Sequence, residues 1–296
     1  MSSSRSPKLS RRQWLVGAAG VAAAAAAANA FAIEPGRVAV TRHRVGSATG
    51  SVPIRVTQLS DLHLRSVGAH EERIAHAVTE LQPHLLVVTG DAIDRAGNLG
   101  ILDRFLALIP HVPKLAILGN WEYWGHVDRG ALARVYEKWN CRLLCNESTV
   151  LSFGSRDLVV TGLDDLVGGR PDSAAAFADL GAMPNHLLLA HCPMHRDVYR
   201  AALTTDRQPL GGSKAALTAS RAVPQIMLAG HTHGGQIAPF GWAPIRPRGS
   251  GRYVSGWYND APTSMYVSRG LGTSVMPARL GAVPEIAHFE WALAAT

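Results

Sequence analysis

The chain has 296 residues, 47% of them hydrophobic and 17% charged, which excludes a disordered or fibrous protein and suits one large globular domain or two small ones. Its formal charge is +7, but Arg5, Lys8, Arg11 and Arg12 fall in a first 32 residues that hold no acid, leaving 25 basic against 22 acidic residues. So slight an excess argues against a nucleic-acid partner, whereas thirteen histidines are a notable supply of potential metal ligands.

Residues 1–36 read as an address rather than as part of the fold. Ser10-Arg11-Arg12-Gln13-Trp14-Leu15-Val16 precedes a run from Gly17 to Ala30 made almost entirely of Gly, Ala and Val. A basic head, a mildly apolar stretch and a small-residue end make a cleavable signal, with the cut expected after Ala30 or Ala32. The arginine pair resembles the twin-arginine motif, so the expected partner is the twin-arginine translocase and the expected location the periplasm or cell envelope. The Ala-rich stretch is short and weakly hydrophobic for a stable membrane span; the alternatives to a cleaved signal are a plain N-terminal helix or a retained anchor. Residues 37–296 are then one domain.

From Ile54 onward, short apolar runs at 54–60, 84–90, 114–120, 185–191 and 225–231 predict strands. Ile74, Ala77, Val78 and Leu81, and then Leu99, Leu102, Phe105, Leu106 and Ile109, recur at helical spacing and predict crossover helices between them. Residues 141–164 read as three consecutive strands with turns near Glu147-Ser148 and Gly154-Ser155, adding an antiparallel part. The fold class is therefore α/β, with two packed sheets. If 141–145 is a strand, Cys141 and Cys145 stand about 13 Å apart on one face, too far for a disulfide. Cys192 reads as a small semi-buried residue.

Two stretches, 204–222 and 239–262, lack periodicity and are long for loops inside a compact domain. The second interleaves Phe240, Trp242, Tyr253, Trp257 and Tyr258 with Arg246, Arg248 and Arg252. Such a loop suits an anionic amphiphile or a membrane surface, with Arg246 and Arg248 as candidate substrate contacts. The alternative is a solvated connection with its aromatics tucked onto the core.

Each of the five strand candidates ends in potential ligands: Asp61 and His63, Asp91, Asn120, His191, and His231 with His233. Sites in open α/β sheets form outside the carboxyl ends of strands, so these segments can converge although they span 173 residues. Mixed carboxylate, imidazole and amide donors suit two borderline divalent ions, Mn, Fe, Zn or Co, and Asp91 is the candidate bridge between them.

In this order the motifs resemble the calcineurin-like metallophosphoesterases, whose blocks run Asp-x-His, Gly-Asp-x-x-Asp, Gly-Asn-His-Asp/Glu, a lone His and Gly-His-x-His. The resemblance covers about residues 54 to 291. The arginine pair, Gly230-His231-Thr232-His233-Gly234-Gly235-Gln236 and Arg269-Gly270-Leu271-Gly272-Thr273 place it nearest the exported bacterial branch of YkuE type. It implies a two-sheet sandwich of βαββ type flanked by helices. It also implies one metal on Asp61, His63, Asp91 and His233, and another on Asp91, Asn120, His191 and His231. The implied activity is hydrolysis of a phosphate ester or pyrophosphate by a metal-bridging hydroxide, with a phosphorylated small molecule or a lipid-linked compound as substrate.

One position departs from the pattern. The family's substrate-facing histidine is Trp121 here, an indole that donates a hydrogen bond but has no proton to titrate. Glu122, Tyr123 and His126 are the alternative proton sources, and Asp94 is expected to matter far less than Asp91. The competing function is a metal-stabilised binding protein of the envelope that turns over weakly.

Overall fold

The computed structural model describes residues 10–46, 52–178, 180–181, 183–198, 223–260 and 262–295; the 204–222 loop lies outside them. Helix α1, Arg11–Ala28, starts on a capping box in which Ser10 accepts from the Gln13 N–H and the Gln13 side chain returns to the Ser10 N–H. No residue of α1 is buried. Taken on to Gly36, the helical segment has 26 residues and is long and apolar enough to cross a membrane by length and composition, a test that signal sequences also pass. The join to the body falls before residue 37. Ala30 is buried and its carbonyl accepts from Arg279 N at 2.8 Å, and the buried Glu34 accepts from Ala282 N at 2.7 Å.

The body holds strands β1 Ala39–Val45, β2 Ile54–Leu59, β3 Leu85–Thr89, β4 Lys114–Ile117, β5 Cys141–Leu143, β6 Glu147–Phe153, β7 Arg156–Gly162, β8 His186–Leu189, β9 Ile226–Ala229, β10 Gly256–Tyr258, β11 Ser264–Val267 and β12 Glu285–Trp291. Helices α2 Ala69–Leu81, α3 Leu99–Leu106, α4 Asn120–Trp124, α5 Arg129–Lys138 and α6 Ser173–Ala176 connect them. Two six-stranded sheets form, in the orders β1-β12-β2-β3-β4-β5 and β10-β11-β9-β8-β7-β6. All five strands expected to carry ligands are present. Of the three expected across 141–164, β6 and β7 pair antiparallel, but β5 joins β4 in parallel and so belongs to the other sheet. Cys141, Cys145 and Cys192 are all free thiols.

Strand periodicity explains the layers. In β3, Leu85 and Val87 point between the sheets, while Leu86 and Val88 face α2 and α3. In β8, Leu187 and Leu189 meet them from the other sheet, and Leu188 turns outward beneath Phe177 and Tyr253. Burial on both faces goes with the apolar runs at 85–88 in β3, 187–189 in β8 and 226–229 in β9. Buried Gln58 ties the sheets where they approach, donating to Thr89 Oγ1 at 2.9 Å and to the Ala229 carbonyl at 3.0 Å. The ligand-bearing ends of β2, β3, β8 and β9 lie around this tie.

Candidate metal centre

The chain turns sharply as it leaves β2, β3 and β9, and the ligand residues themselves make the turn. Asp61, His63, Asp91, His231 and His233 all have positive φ, between 44° and 72°. A left-handed backbone costs a non-glycine residue on the order of 1–3 kcal/mol and persists only where the surroundings enforce it. Here Asp61 N donates to Gly90 O at 3.1 Å, His63 N to Asp91 O at 3.0 Å and Gly272 N to Asp61 O at 2.7 Å. The space is tight as well: a side chain at Gly90 would meet His191 Nδ1 at 2.6 Å and the Gly119 amide at 2.8 Å. The local backbone is therefore bent to bring these five side chains inward, and His191 at the end of β8 joins them as a sixth.

They fall into two buried groups, Asp61 with His63 and His233, and Asp91 with His191 and His231, the donor atoms of each lying within 4.8 Å of one another. His63 Nε2 faces His233 Nε2 across 3.0 Å, and His191 Nε2 faces His231 Nδ1 across 3.2 Å. Asp91 Oδ2 lies 3.2 Å from His191 Nε2 and 3.7 Å from His63 Nε2, so it looks into both groups. Burial would raise the Asp91 carboxyl, but the His191 charge and hydrogen bond and His63 hold it down at about 2, so it stays anionic. Asn120 Oδ1 beside it is buried without a hydrogen-bond partner. An orphaned amide oxygen, a shared carboxylate and imidazole nitrogens aimed at each other are what a pair of divalent cations would satisfy.

Above this floor opens a cavity of about 560 Å³. Asp91, Asn120, His231 and His233 form its base, while Trp121, Trp124, Ile237, Pro244, Ile245, Pro247, Val275 and Met276 form its walls. No lysine or arginine is among the lining residues described.

Comparison with known proteins agrees with this geometry. The calcineurin-like phosphoesterase family profile matches residues 54–235. The metallophosphoesterase YkuE of Bacillus subtilis is 32% identical, with 95% of this chain and 97% of that one aligned. The phosphodiesterase YaeI of Escherichia coli is 27% identical over 95% of this chain and 99% of its own. This chain belongs to the calcineurin-like phosphoesterases. It is a metal-dependent phosphohydrolase of the YkuE-type branch, and its two mixed sheets with flanking helices are an α/β phosphoesterase fold.

Within this phosphoesterase several residues act from behind the ligands. Asp94 Oδ1 lies 2.5 Å from His63 Nδ1 and its Oδ2 accepts from Arg65 at 2.9 Å, a supporting position behind one ligand that the sequence reading did not assign. Burial alone would lower the His63 pKa, yet Asp94, Asp91 and Asp61 together raise it. Fully buried Arg279, which the sequence reading missed, places Nη2 at 3.2 Å from His233 Nδ1 and donates to the carbonyls of Arg269, Gly272 and Ala282. Burial, then the charges of His63 and Arg279, push His233 well below the usual histidine range. His191 Nδ1 donates instead to the Thr89 carbonyl, and His231 Nε2 to the Arg248 carbonyl, both at 2.8 Å. No composition or motif signal marks Arg279, because its partners are backbone carbonyls and one histidine 46 residues away.

Three further expectations change. Glu122 does not reach the cavity: it is buried and accepts from the backbone N–H groups of Asp91, Ala92, Ile93 and Gly119 at 2.7–3.2 Å. Burial and the Asp91 charge push its pKa up to about 7, and its work is to hold the β3 and β4 ends together. Tyr123 is engaged with Asp164 at 2.5 Å, and neither it nor the exposed His126 lines the cavity. Arg246 and Arg248 are exposed and their neighbours Ile245 and Pro247 line the wall in their place; Arg248 serves through its carbonyl. Trp121 does line the cavity, its amide donating to Asp91 Oδ1 at 2.8 Å and its ring edge-on to His63 at 5.9 Å.

Proposed function

We propose that this phosphoesterase hydrolyses phosphate esters or pyrophosphates carrying an apolar or aromatic substituent, in the periplasm or cell envelope after export by the twin-arginine route. The observation that carries the substrate reading is the apolar cavity opening directly onto the two ligand groups. Asp61, His63, Asp91 and His233 would hold one divalent ion, and Asp91, Asn120, His191 and His231 the other, with Mn, Fe, Zn or Co suited to the donors. Once bound, such ions activate water and neutralise charge on the phosphoryl oxygens.

The chain's own residues do the rest. The apolar walls admit a substituent but offer it no cation, so the phosphoryl charge is drawn to the floor. Trp121 stands edge-on to the buried His63, and Trp124 packs edge-to-face against Trp121 at 5.5 Å. Neither indole can protonate a leaving oxygen, which favours groups that depart unassisted: aryl esters, and pyrophosphates including lipid-linked ones. That YaeI is named a phosphodiesterase supports diesters as one class.

To test this, the purified protein is assayed for Mn, Fe, Zn and Co and then against aryl and alkyl phosphomonoesters, phosphodiesters and nucleotide pyrophosphates. Turnover that falls steeply as the leaving group becomes less acidic is expected. Metal-loaded protein inert toward all classes would leave the binding-protein reading. Export rests on Arg11 and Arg12 in the first turn of the exposed α1. Replacing both with lysine should strand the precursor in the cytoplasm, seen by cell fractionation, because the guanidinium pair and not its charge is read.

A further inference from the structure

We propose that the mouth of the metal cavity is a bilayer-docking face, on which Phe240, Trp242, Ile245 and Val275 seat in an anionic lipid surface beside the root of α1. The proposal rests on the envelope location given above and not on turnover.

These side chains are bare. Phe240 is fully exposed, Val275 is 86% exposed, Ile245 79% and Trp242 69%. Ile245 and Val275 line the cavity, Phe240 and Trp242 precede Ile245 on the same loop, and large apolar side chains left in water together mark an interaction site. Two of them also stand on strained backbone: Phe240 has φ 55° and Val275 φ 60°, the latter a marked outlier for a β-branched residue. Strain that points an apolar group into water stabilises nothing inside the fold, so its use lies outside.

The tips are presented by a built surface and not by loose loops. The Gln236 side chain donates to the carbonyls of Ser274 and Met276 at 3.0 and 2.9 Å and accepts from Ser274 N at 3.0 Å, clamping the Val275 turn. The same strand of chain pairs with the next turn through Leu280 N to Gln236 O at 2.9 Å and Ala238 N to Leu280 O at 2.7 Å. Ala238 leads straight into Phe240 and Trp242.

The bilayer is the occupant because of what adjoins this face. Arg279 and Ala282, next to Leu280, hold Ala30 and Glu34, so α1 leaves the body within a few residues of the tips. That helical segment is long and apolar enough to cross a membrane, and Phe31 and Ile33 at its root are more than half exposed. Exposed Arg246 and Arg248 flank Ile245 and Pro247, and aromatics interleaved with arginines suit an anionic headgroup layer. Docked this way, the cavity opens onto the lipid surface.

The test uses the full-length metal-loaded chain with Cys145→Ser, labelled with an environment-sensitive dye at Phe240→Cys, at Trp242→Cys or, as control, at Val150→Cys on the exposed edge strand β6. It is mixed with phosphatidylcholine–phosphatidylglycerol vesicles. We expect a blue shift and quenching by bilayer-borne quencher at 240 and 242 and neither at 150. Dyes at 240 and 242 that stay aqueous while the chain sediments with vesicles would assign binding to α1 alone and overturn the proposal. So would absence of sedimentation, or dye burial that rises with protein concentration before lipid is added, which would indicate a second copy. Hydrolysis of a soluble aryl ester on the same samples separates the outcomes. Active protein with aqueous tips sinks docking only, and docked protein without turnover sinks the proposed function only.

Discussion

The two ligand groups use the same donors but are backed differently. Behind Asp61, His63 and His233 stand charged side chains, Asp94 and Arg279; behind Asp91, His191 and His231 stand the backbone carbonyls of Thr89 and Arg248. A carbonyl belongs to the strand or loop that positions it and is not removed by substitution, whereas a charged side chain sets ligand basicity and is open to change. The His191 half is thus set by the fold and the His63 half by particular side chains.

The largest expected effect crosses this division. Asp91→Asn should empty both halves and abolish hydrolysis, because an amide leaves the repulsion between two cations uncompensated. Metal analysis with an aryl ester assay checks it, and two ions per chain with normal turnover would refute a shared site.

Asp94→Asn should act on one half only, weakening metal affinity there by about 10–100-fold while the His191 half stays loaded. Titration of the apo-protein should then show one tight and one weak ion. Equal weakening of both would erase the contrast between the halves.

Trp121 stands against His63, on the side-chain-tuned half. Trp121→His should raise turnover of alkyl esters by up to about 10²-fold, raise aryl esters less, and add a limb to the pH profile. Equal effects on both would assign Trp121 to substrate binding.

The smallest effect is a control outside both halves. His186 packs against Phe177 and contacts Thr161 Oγ1 at 2.7 Å, and burial pushes its pKa down to about 4. A depressed pKa contributes stability that is complete above the unfolded value near 6.5 and is lost as pH falls toward 4. Between pH 7 and 4.5 the loss should be on the order of 2 kcal/mol, and His186→Gln should remove that portion. Urea midpoints of the two proteins at both pH values measure it. A difference confined to metal-free protein would tie His186 to the centre after all.

The ligand-bearing strands were legible because their signals are local. An apolar run buried on both faces and ending in Asp, Asn or His can be recognised from a few residues, as in Leu85–Thr89 followed by Gly90-Asp91. Strands β1, β10, β11 and β12 were not predicted, β10 lying within the stretch 239–262 read as a loop. The register of β12, Glu285–Trp291, parallel to β1 and antiparallel to β2, depends on a partner more than 200 residues away. Glu122 and Asp94 were visible as acids but not in their roles, since what they hold is the β3 and β4 backbone in one case and a distant histidine in the other.

By itself, then, the sequence determined the family, the two-sheet class and which residue types gather at the strand ends, all set by periodicity and short motifs. Tertiary structure decided which nitrogen each imidazole turns inward, how Arg279 is buried behind His233, and that Ile245 and Pro247 wall the cavity while Arg246 and Arg248 stay exposed. Those outcomes depend on hydrogen-bond partners and packing contacts brought together from distant segments, which short-range sequence patterns do not encode.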